Sequence, residues 1–114
     1  MKRKQALADL IAEVEAGDDA NVSSLLRMLA SKARDEGNIW PSHDADKAYR
    51  GSLDAAKLLH VAVLPRHYAQ VHMWPVPEMC RVDIGGGHTG RGDNPARAWL
   101  LAILRALHSM EPEA

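Results

Sequence analysis

Phenylalanine is absent from this chain, and aromatic residues of any kind make up only 4% of it. Its core must therefore be filled by Leu, Val, Ala, Met and three tryptophans. Cys80 stands alone, which excludes an internal disulfide and any zinc-type pairing of cysteines and fits a reducing compartment. An excess of either charge is missing too. The formal net charge is −1, with acids and bases interspersed, and no basic stripe exists of the kind that neutralises phosphates, so nucleic acid is not an expected partner. Long hydrophobic runs are also lacking. The most apolar stretch, 98–104, is far too short to span a bilayer. Met1, Lys2, Arg3 and Lys4 are followed by Asp9, Glu13 and Glu15 instead of an apolar run, which reads as neither secretion signal nor anchor. The expectation is a cytoplasmic chain with no membrane partner.

What is present, 46% apolar and 25% charged residues over 114 positions, is the composition of one ordinary globular domain. Leu7, Leu10, Ile11 and Val14 fall on one helical stripe, as do Val22, Leu25, Leu26 and Leu29. Gly17 and Gly37 supply the stops. This predicts a helical hairpin over 3–36, its second helix starting near Asn21. Periodicity then lapses among Pro41, Ser42, Asp44 and Asp46, predicting a loop over 38–50. Ser52 fits an N-cap with Asp54 in the first turn, so a helix is expected over 52–64, burying Ala55, Ala56, Leu59, Ala62 and Val63 and ended by Pro65.

Alternation after Tyr68, and again at Cys80, Val82 and Ile84, predicts an antiparallel hairpin over 69–84 connected through Pro75 and Pro77. Five of the eight glycines lie in 85–93, read as a flexible loop. Asn94 caps and Pro95 opens a last helix over 95–110. Its apolar residues, Trp99, Leu100, Ile103, Leu104, Ala106, Leu107 and Met110, cover more than half the circumference, so it is either sandwiched between two layers or part of a subunit interface. The predicted fold is α+β: a small antiparallel sheet of two to three strands between helical layers (an α/β/α sandwich), with about four helices in a single domain.

Candidate chemistry is sparse. Gly85, Gly87 and Gly90 formally match G-x-G-x-x-G, but the helix opens only at Pro95 and no second parallel strand with an acid follows, so a dinucleotide site is not expected. Arg91-Gly92 stands where a P-loop needs Lys and Ser/Thr. What survives is an anion site: main-chain N–H groups near a helix N-terminus, with Gly87, His88, Arg91 and Arg97 nearby. Asp93 beside the cap opposes it. His43-Asp44 suggests the dyad of metal phosphohydrolases, but no further ligands accompany it, and His60, His67 and His72 are too irregularly spaced to share a metal. His60 and His72 read as surface residues. Cys80 sits on the apolar side of its strand, and no serine has a nucleophile-elbow context. No catalytic set, metal or cofactor is predicted.

An ordered series of motifs remains: Tyr49-x-x-Ser52-Leu53-Asp54-Ala55-Ala56; Leu64-Pro65-x-x-Tyr68 leading into strands; and Asn94-Pro95-Ala96-Arg97-Ala98-Trp99 opening the alanine- and leucine-rich last helix. In this order they resemble the small phage and prophage proteins grouped as the phage ABA-sandwich domain. The resemblance implies a small sheet between helical layers and a phage or prophage origin in a bacterial host cytoplasm. It brings no established activity and no catalytic residues. The expected function is that of a non-catalytic accessory protein that self-associates or binds a host or phage protein. The alternative is a small-anion or nucleotide binder using the glycine loop with Arg91 and Arg97.

Overall fold

The computed structural model describes residues 3–35, 40–72 and 80–110. In chain order the elements are α1 (Arg3–Ala16), α2 (Asp19–Asp35), α3 (Ser42–Tyr49), α4 (Leu53–Val63), β1 (Ala69–His72), β2 (Cys80–Ile84), β3 (His88–Gly92) and α5 (Pro95–Met110). The class is α+β, with one three-stranded antiparallel sheet in the order β1-β2-β3. Gly37, Met73, Trp74 and the 75–78 connection lie outside the described residues.

The opening hairpin follows its apolar stripes. Leu7, Leu10 and Val14 of α1 and Val22, Leu26 and Leu29 of α2 are buried. Gly17, at φ 78°, takes the left-handed conformation that ends α1, its N–H donating to the Glu13 carbonyl at 2.9 Å. Asp18 then caps α2 by accepting from the Asn21 N–H at 3.1 Å, so α2 begins two residues earlier than its apolar stripe suggests.

Two predicted loops are regular structure. Within 38–50, residues 42–49 form α3. Ala45, Ala48 and Tyr49 are its buried face, an i, i+3, i+4 set. Pro41 ahead of it and Asp44 in its first turn are helix-start features that also occur in loops. Within 85–93, only residues 85–87 make the turn, with Gly86 and Gly87 at φ 104° and 90°. The rest is β3, paired with β2 from Ile84↔His88 to Cys80↔Gly92. Among the described residues there are therefore five helices, where the sequence suggests about four.

Ser52 caps α4 as expected, accepting from the Ala55 N–H at 3.2 Å. Its inward face differs in part: Ala55, Ala56, Leu59 and His60 are buried, Val63 is half-buried, and Ala62 is exposed. His60 is thus a core residue, not a surface one. It can be buried because both ring nitrogens are occupied. The Trp99 indole Nε1–H donates to Nδ1 at 3.1 Å, which fixes Nε2–H as the donor to the His67 carbonyl at 2.6 Å.

The layers are arranged around α5. One side of this helix packs on β2 and β3, and other sides meet α1, α3 and α4. Nine of its residues, from Ala96 to Leu107, are buried. Most of the wide apolar arc is covered within the chain, while Trp99 is half-buried and Met110 exposed. Among the described elements the small sheet packs against the helices through α5, in keeping with the predicted α+β class. The sheet's inward residues are Val82 and Ile84. By register, Gln70, His72, Arg81, Asp83, Thr89 and Arg91 share the opposite face.

Gly90 explains why β3 is rich in glycine. A Cβ built on it would lie 2.0 Å from the Ala98 carbonyl oxygen and 2.6 Å from the Ala102 nitrogen. The strand backbone rests directly on the helix backbone at Ala98 and Ala102, small residues one turn apart. Gly90→Ala is expected to cost about 3 kcal/mol in urea unfolding, because two backbones must separate. Gly92→Ala, whose nearest neighbour would be the Ala98 nitrogen at 3.7 Å, is expected to change stability by less than about 1 kcal/mol. Equal effects would disprove the close crossing.

Candidate functional site

The four residues of the predicted anion site separate into two pairs. Gly87 lies in the β2–β3 turn and His88 opens β3. Three positions along a strand reverse the face and advance about 10 Å, so His88 and Arg91 do not converge. Arg91 and Arg97 do. Both line a cleft of about 440 Å³ between the end of α1, the end of β3 and the start of α5, whose other walls are Val14, Glu15, Ala16, Gly17, Gly92, Asp93 and Leu101. Asn94 caps α5 by accepting from the Arg97 N–H at 2.8 Å, so part of that helix terminus is already satisfied.

Arg97 is held in place from the far side of the cleft. Its Nε donates to the Tyr49 carbonyl at 3.1 Å, and its guanidinium lies 4.2 Å over the Tyr49 ring. Its Nη nitrogens have no acceptor among the described residues. Tyr49 is 1% exposed and donates its hydroxyl to Asp19 at 2.6 Å. A chain of contacts therefore runs from α2 through α3 to the cleft. On the opposite lip, Arg105 of α5 donates to the Thr89 carbonyl at 2.6 Å and pairs with Glu15 at 3.1 Å. It ties β3 and α1 to the helix between them. Sequence reasoning missed Tyr49, Asp19, Arg105 and Glu15 as parts of this site. Only Tyr49, in the motif series, carried a signal.

The remaining candidates lie outside the lining of this cleft. His43 is exposed in the first turn of α3. Among the described residues no group of three or more His, Cys, Asp or Glu is placed to share a metal ion. On the outer sheet face, Asp83 accepts from Thr89 Oγ1 at 3.1 Å and lies at ion-pair distance from His72 Nε2 (3.2 Å) and Arg81 Nη2 (3.3 Å). A hydroxyl–imidazole–carboxylate relay needs the imidazole in the middle. Here the carboxylate is in the middle. Cys80 is half-buried and unpaired with another cysteine. No helix among the described residues is long and apolar enough to cross a membrane. No family model, curated protein or solved structure matches the chain.

Burial pushes the Tyr49 phenol up to about 12; the hydrogen bond to Asp19 acts in the same direction and the Arg97 guanidinium opposes both. The folded value lies above the ordinary 10.0, so the protonated phenol's contribution to stability is complete below pH 10 and is lost as pH rises through 12. Tyr49→Phe is expected to lose about 1 kcal/mol at neutral pH and to flatten this alkaline decline, measured by urea midpoints across pH 9–12.

Proposed function

We propose that the chain is a non-catalytic binding protein that holds a small anionic group, phosphate or carboxylate, between Arg91 and Arg97. The carrying observation is the shared cleft: Arg91 of β3 and Arg97 of α5 line one open volume of about 440 Å³, and stacking on Tyr49 has already restricted the Arg97 guanidinium. A pre-positioned guanidinium loses less entropy on binding and presents paired N–H donors to an oxyanion. The resemblance of its motif order to that of phage ABA-sandwich proteins is the ground for a phage or prophage accessory role for such binding. Sodium phosphate at a hundredfold excess over Kd, against sodium chloride at equal ionic strength, is expected to stabilise the fold by about 2.7 kcal/mol. That corresponds to a Tm rise on the order of 10 °C, abolished by Arg91→Ala. No rise, or the same rise in Arg91→Ala, overturns the proposal.

A second reading, docking of a host or phage protein, is supported by the outward face of α4. Leu58 is 59% exposed and Val61 58% exposed, one turn apart. Leu58→Asp with Val61→Asp is expected to leave the fold intact and to abolish capture of a specific partner from host lysate. Capture unchanged by the pair removes this reading without touching the first.

A further inference from the structure

The cleft carries charges of both signs that do not neutralise each other. Arg91 and Asp93 are two residues apart at the end of β3, both exposed and both lining the cleft. Neither has an ion-pair partner among the described residues. The other carboxylate of the cleft, Glu15, is engaged by Arg105. Ala16 and Gly17 bring the C-terminal end of α1 to the same wall, the end at which a helix dipole is negative. Arg91 and Arg97 thus line the same volume as an exposed carboxylate and a negative helix end. A plain anion satisfies only the first set and is repelled by the second.

We propose that the ligand of this cleft is a small zwitterion: an acidic group held by Arg91 and Arg97, and an ammonium a few ångströms away held by Asp93 and the end of α1. This rests on the anion-binding reading and adds the requirement for a cation on the same molecule. A carboxylate or a phosphate monoester supplies the acidic end equally well, so the shared chemistry is the amine-bearing acid.

Two matched ligand pairs test it, each differing mainly in the ammonium: O-phosphoethanolamine against ethyl phosphate, and glycine against acetate. The full chain is titrated with each while amide shifts are followed. In at least one pair the zwitterion is expected to bind about tenfold tighter, equivalent to about 1.4 kcal/mol, and to move the amides of Ala16, Gly17, Gly92 and Asp93. In Asp93→Asn, and in Asp93→Ser as a second variant, the preference is expected to fall to within twofold while the plain anion binds as well or better. Equal affinities within both pairs, or a preference that survives both variants, overturn the zwitterion and leave anion binding standing. No binding by any of the four ligands overturns both. The pair that shows the preference identifies the acidic group as phosphate or carboxylate.

Discussion

The contact on which the rest of the structure depends is the one between two backbones, β3 at Gly90 and α5 at Ala98 and Ala102. Only a residue without a Cβ brings a strand this near a helix, and only small helix residues receive it. The close crossing seats Val82 and Ile84 on the helix, where they are buried. Because a single helix serves both the sheet and the outer helices, its apolar residues must extend round most of its circumference. The nine buried positions of α5 express that double duty.

Polar ties then fix what burial alone leaves free to slide. Hydrophobic burial is non-directional, and a smooth alanine face gives little registration. Arg105 reaches a β3 carbonyl and an α1 carboxylate at once. Arg97 reaches a carbonyl and a ring of α3, and Trp99 reaches the imidazole of α4. Three side chains of the same helix therefore set its rotation against four different neighbours. The cleft opens where two of these ties, through Arg97 and Arg105, leave α1, β3 and α5 side by side without filling the space between them.

The four longer helices were legible because each repeats its apolar residues over several turns. Helix α3 was not: eight residues give a single i, i+3, i+4 set, and its Pro, Ser and Asp serve a helix start as well as they serve a loop. Strand β3 was hidden for the opposite reason. Glycines at 90 and 92 remove the alternation that marks a strand, because the partner they pack on is a helix backbone. At the site, Arg91 and Arg97 could be paired from sequence because six residues separate them. The clamp of Arg97 on Tyr49 spans 48 residues and the Arg105–Glu15 pair spans 90. Neither leaves a local pattern. His60 was misplaced because a lone histidine near a helix end gives no sign that an indole 39 positions on will satisfy its ring.

The position of α5 in the chain has a consequence for how the protein is made. Every element that packs on this helix precedes it, so during synthesis α1, α3, α4 and the strands emerge with their inward faces uncovered. Local hairpins can form at that stage, but the common surface that joins them is translated after all of them. These elements are joined only after α5 has left the ribosome, and until then Val82 and Ile84 are open to other chains or to chaperones.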